Sequence, residues 1–81
     1  MRRYFFDVRD GGDVIPDEEG MELSTIDAAQ NEATRALADM ARDEVRTRNG
    51  NGSACDLIIE VRDDDGPVMR AKFTFEIDHL Q

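Results

Sequence analysis

Between Ile26 and Val45 the apolar side chains fall at Ile26, Ala29, Ala33, Ala36, Leu37, Met40, Ala41 and Val45. That spacing is one face of an α-helix, and half of the face is alanine. So shallow a stripe buries useful area only if the helix lies close against a flat partner. The flanking segments provide one. In "RYFFDVR" Tyr4, Phe6 and Val8 alternate with Arg3, Phe5, Asp7 and Arg9. "DLIIEVR" and "PVMRAKFTFEI" alternate likewise, with Leu57, Ile59, Val61, Met69, Ala71, Phe73, Phe75 and Ile77 on one side. Period two over aromatic and β-branched residues marks strands with one buried face.

Turns punctuate these segments. "DGG" at 10–12 returns the first strand into a short second one, "DVIPD", where Pro16 lacks a backbone donor and marks a sheet edge. "DEEG" reads as a type I turn leading to the helix, capped by Ser24 with Asp27 three residues on, or by Thr25. "NGNGS" at 49–53 ends the helix, and "DDDG" at 63–66 joins the third strand to the fourth. The expected fold is α+β, a single two-layer ββαββ domain over residues 1–81, with one long helix packed on one face of a four-stranded sheet. A right-handed crossover sets the fourth strand beside the first, order 2-1-4-3; order 2-1-3-4 is the alternative.

With 81 residues the chain buries only about 60% of its unfolded surface, which leaves no material for a second lobe or a deep cleft. No apolar run approaches the roughly 18 residues of a membrane span. Asp7 breaks the apolar run of "MRRYFF" before it reaches the length of a secretory signal, so the expected location is cytoplasmic. Cys55 is the only cysteine, which excludes an internal disulfide and suits a small filler at a strand entrance. The net charge of −9 opposes phosphate backbones and anionic membranes, and it favours a basic protein surface as partner.

"RYFFDVRDG", "IPDEEGMEL", "DAAQNEATRALADMA" and "IIEVRDDDGPVM" together resemble a family of short uncharacterised bacterial proteins. That family is common in rhizobia and other alphaproteobacteria and is classed as a domain of unknown function. The resemblance runs from about Tyr4 to Phe75 and implies a small stand-alone bacterial domain. It brings no activity, cofactor or catalytic residue.

The residues themselves argue against catalysis. His79, the only histidine, is the third residue from the end, where chains fray. Neither Ser24 nor Ser53 has an evident base, and paired carboxylates need a sheltering pocket to separate their pKa values. "GNGS" and "DGGD" match no phosphate-binding fingerprint. No catalytic residue and no cofactor are expected.

Two surfaces are candidates for binding. Strand directions bring Asp17, Glu18 and Glu19 to the same sheet end as Asp63, Asp64 and Asp65, an alternative site for a calcium ion. "DDDG" lacks the spacing of a calcium loop, however, and under order 2-1-4-3 the two turns stand about 10–14 Å apart. The stronger candidate is the sheet face that the helix leaves open, carrying Arg3, Phe5, Asp7, Arg9, Ile58, Glu60, Arg62, Val68, Arg70, Lys72, Thr74 and Glu76. Phe5, Ile58 and Val68 among Arg3, Arg62 and Arg70 suit a protein partner or a homodimer, as does an exposed edge strand. Aromatic sheet faces also bind RNA, but a single aromatic residue and the acidic total make that a minor alternative.

Overall fold

Two-residue turns shape both hairpins. In the computed structural model, which describes residues 1–48, 55–76, 78 and 80, strand β1 (Arg2–Asp10) turns at Gly11 and Gly12 into β2 (Asp13–Ile15). Gly11 has φ +63°, a conformation that L side chains resist. Strand β4 (Cys55–Asp63) turns at Asp64 and Asp65 into β5 (Gly66–Phe75), and Gly66 has φ +123°. Between the hairpins lie a short strand β3 (Met21–Leu23) and the helix α1 (Ile26–Arg48). Thr25 is the helix cap, because its Oγ1 accepts the Ala28 N–H at 3.0 Å and its carbonyl accepts the Ala29 N–H. The "NGNGS" stop, Ile77 and His79 lie outside the described residues, as does the side chain of Cys55.

The sheet is antiparallel with the order β2-β1-β4-β5, and β3 pairs with β1 beside β2. This corrects the favoured 2-1-4-3 arrangement and matches the alternative, 2-1-3-4. The reason lies in the side chains. Leu57, Ile59 and Val61 are large, branched and 0–2% exposed, so β4 needs neighbours on both sides. Strand β5 carries Pro67, Arg70 and Lys72, residues that suit an edge. The helix therefore crosses over β1, and its flanking strands β3 and β4 run parallel to each other on either side of it.

A second correction is β3 itself, a fifth strand where the sequence suggested only an approach to the helix. Pro16 ends β2, and after four further residues the chain rejoins β1, pairing Met21 with Tyr4, Glu22 with Arg3 and Leu23 with Arg2.

The core is Tyr4, Leu57, Ile59 and Val61 from the sheet against Ala29, Ala33, Leu37 and Ala41 from the helix. The helix packs on β4 and β5, with its start on β3. The alanines let it approach the sheet, as their spacing implied. Ile26 and Ala36 depart from the expected stripe and are exposed. No helix among the described residues is long and apolar enough to cross a membrane.

Val68 is the third correction. The β4–β5 register slips between Val61, opposite Met69, and Arg62, opposite Pro67, so Val68 is the extra residue of a bulge. The bulge turns Val68 off the open face and packs it against the core.

Candidate functional site

Along its outer edge β1 is paired at residues 2–4 and 8–10 but not at Phe5, Phe6 and Asp7, opposite the chain segment 16–20. There the Phe6 N–H donates to Asp17 Oδ2 at 3.1 Å, so a carboxylate stands in for the missing strand. The other oxygen, Asp17 Oδ1, accepts the N–H groups of Glu19 and Gly20, each at 3.1 Å. The Asp17 N–H in turn donates to Asp7 Oδ1 at 2.9 Å.

Arg62 closes the arrangement from β4. Its Nε donates to Asp7 Oδ2 at 2.8 Å, its Nη2 donates to the Asp17 carbonyl at 3.1 Å, and its guanidinium lies 4.5 Å from the Phe5 ring centre. Arg3 holds the far side of the loop by donating to the Glu19 carbonyl at 2.7 Å and to Glu22 at 2.9 Å. The acidic loop is thus stapled onto the open face over Phe5.

Electrostatics follow from these contacts. Burial pushes both carboxyls up, and the hydrogen bonds outweigh it. Arg62 and the Asp17 N–H hold Asp7 below its ordinary value, while the Gly20, Phe6 and Glu19 N–H groups with the Arg62 charge do the same for Asp17. Both are anions with a structural task.

Gly20 lies directly over Phe5 with φ +74°, and a Cβ there would meet the Phe5 ring at 2.9 Å and Arg3 Cγ at 2.9 Å. Gly20→Ala should cost about 2–3 kcal/mol in urea unfolding, from backbone strain plus overpacking. Gly11→Ala is the control. It has positive φ too, but nothing lies within 4 Å, so only about 1 kcal/mol of strain applies. Equal losses at the two positions would show that the Phe5 contact contributes nothing.

Of the residues expected on the open face, Phe5 is half-buried under the loop, and Arg3 and Arg62 serve the staple. Ile58 is half-buried on the face, and Val68 has left it. Arg70 is exposed, with Glu60 3.7 Å away. The remaining cations also face carboxylates, Arg9 with Glu60 and Lys72 with Asp56. Such pairing weakens the case for an RNA surface, which needs free cations to neutralise phosphate.

The six acids expected together at one end are separated. Asp17, Glu18 and Glu19 lie beside the middle of β1, because β3 carries the return strand onward past them. Asp63 is at the true end, where Oδ1 accepts the Asp65 N–H at 2.8 Å and Oδ2 accepts Arg2 Nη1 at 3.0 Å. The Asp65 N–H and then Arg2 hold its carboxyl below the ordinary value against desolvation. An open groove of about 440 Å³ at this end is lined by Met1, Arg2, Arg3, Glu22, Asp64 and Asp65, side chains of both signs. Among the described residues no three His, Cys, Asp or Glu side chains gather as a metal site would require.

Asp17 is the residue whose role sequence reasoning missed. Its signal was present in "PDEEG": an Asp whose side chain can accept from the next two or three N–H groups, closed by a glycine.

These features define a class of protein: a small α+β domain in which one helix covers an antiparallel sheet and an acidic loop is stapled to the other face. The chain belongs to the family described as Domain of unknown function (DUF6894), whose model matches residues 3–74. Neither the curated proteins nor the solved structures contain a match to it.

Proposed function

We propose that the domain is a non-enzymatic protein-interaction module that works through its edge strand β5. One observation carries this reading: β5 is ten residues long, and β4 is its only neighbour among the described residues. Every second residue of such a strand directs its N–H and C=O away from the sheet, a template for another strand. Strand addition of this kind draws affinity from the backbone and specificity from alternate side chains.

The other edge serves this purpose less well. Val14, Ile15 and Met21 are exposed there, but the loop 16–20 interrupts the ladder after three residues of β2. The open face, the other surface expected from the sequence, is occupied by its own ion pairs and by the loop over Phe5.

The domain should therefore be immobilised, exposed to extract of its native host, and mapped by hydrogen exchange in any complex obtained. The expected result is slowed exchange at alternating amides of β5, with β2 unchanged. Protection confined to the open face would overturn the edge assignment. A domain that neither captures a protein nor associates with itself is no interaction module.

A further inference from the structure

We infer that the partner of β5 is a second copy of this chain, joined antiparallel about a twofold axis through Phe73; this rests on the β5 reading above. The side chains of β5 carry their own complement. With Phe73 opposite Phe73 of the other copy, Ala71 faces Phe75, Lys72 faces Thr74 and Arg70 faces Glu76. Directly opposed residues of an antiparallel pair lie on the same face of the sheet. The open face thus receives two Arg70–Glu76 ion pairs, and the helix-covered face receives aromatic residues beside small ones.

The charges needed for this are in place. Glu76 is exposed, and the Arg70 side chain keeps 66% of its exposure despite Glu60 at 3.7 Å. Phe73 and Phe75 are only half-buried in the single chain, so pairing would cover what α1 leaves open.

Neighbouring registers are worse. Centring on Lys72 sets that cation against itself, and centring on Ala71 sets Arg70 against Lys72. Centring on Thr74 keeps a favourable Lys72–Glu76 pair, but it pairs only residues 73–75 within the strand, which ends at Phe75. The Phe73 register pairs residues 71–75. An isologous contact of this kind also closes: two copies make one sheet of eight main strands, in the order β2-β1-β4-β5 followed by its mirror sequence, with no β5 edge left over.

The charge pairs supply the test, because both residues are exposed and their replacement leaves the core untouched. Sedimentation of the full chain over a graded concentration series should show a monomer–dimer equilibrium. Arg70→Glu and Glu76→Arg should each weaken it about tenfold, since either change sets like charges opposite at two symmetric places. The variant carrying both changes should restore it. Circular dichroism confirms that each variant is folded.

A wild-type chain that stays monomeric throughout overturns the inference, and so does a dimer indifferent to both single changes. If the monomeric chain still captures another protein along β5, the interaction module stands and only the second copy is lost. If it captures none, both readings fall.

Discussion

Ile59→Ala should cost about 4 kcal/mol of unfolding free energy, near the top of the range for deleting a buried aliphatic side chain. Ile59 is 0% exposed on the central strand β4, paired with Val8 on one side and Ala71 on the other. The size of the effect follows from what surrounds the space. The buried helix residues of this core are Ala29, Ala33, Leu37 and Ala41, and three of these four have no side-chain length with which to fill a cavity. The helix would have to move bodily, and the long stripe of contacts resists that. A domain of this size has a total stability of only about 4–12 kcal/mol, so the variant should lose between about a third and all of it. Ile59→Val, with one methyl less, should cost about 1 kcal/mol. Urea titration followed by circular dichroism measures both. A loss under about 1.5 kcal/mol for the alanine variant would show that the layer between sheet and helix can collapse, contrary to the close packing described.

Asp17→Ala should cost about 2–3 kcal/mol at pH 7. It removes the acceptor of three backbone N–H groups, those of Phe6, Glu19 and Gly20, and bonds to a charged acceptor are the stronger kind. Partial exposure keeps the figure below the sum of three such bonds, because water can reach the freed groups. The Phe6 N–H is the costly one, since it lies within β1 and the segment opposite it is no longer a strand.

The pH dependence gives the same residue a second test. The folded protein holds Asp17 and Asp7 below their ordinary carboxyl value of 3.8. The unfolded chain therefore binds protons first as pH falls, so the stabilisation from these groups is full above that value. It is lost as pH drops below it, through the folded values. Wild type should weaken steeply below about pH 4. Asp17→Asn should start weaker at pH 7, because its amide N–H would oppose the Phe6 N–H, and should decline less on acidification. Urea midpoints at pH 7 and pH 3 decide the matter. Parallel losses in the two proteins would mean that the acid sensitivity arises elsewhere.

Much of the fold was legible because its signals are local. Alternation from Arg3 to Arg9 and from Pro67 onward located strands, and the 3.6-residue spacing of Ala29, Ala33, Leu37 and Ala41 located the helix and its buried side. The glycines at 11 and 66 announced the turns that their positive φ values execute. Strand order was harder, since alternation says which face a strand buries and not which strand lies beside it. It became decidable from burial, through Leu57, Ile59 and Val61, which demand a central position.

The candidate site was less legible. Phe5 reads as an exposed aromatic in a one-dimensional pattern, but Gly20 and Arg62, distant in sequence, cover it. Asp17 reads as a solvated turn residue, yet it completes the ladder of β1. Val68 moved to the other face by a bulge, which shifts the alternation by one residue and leaves no mark in composition.

The amino-acid sequence alone thus determined the helix and four of the five strands, the helix-covered face and the acidic balance, because periodicity and charge are properties of neighbouring residues. Tertiary structure decided which strands are central and which are edges. It also turned Asp17 of "PDEEG" into a staple and left β5 with β4 as its only neighbour among the described residues. Those outcomes depend on contacts between residues far apart in the chain, where burial and pairing select among arrangements that the local pattern permits equally.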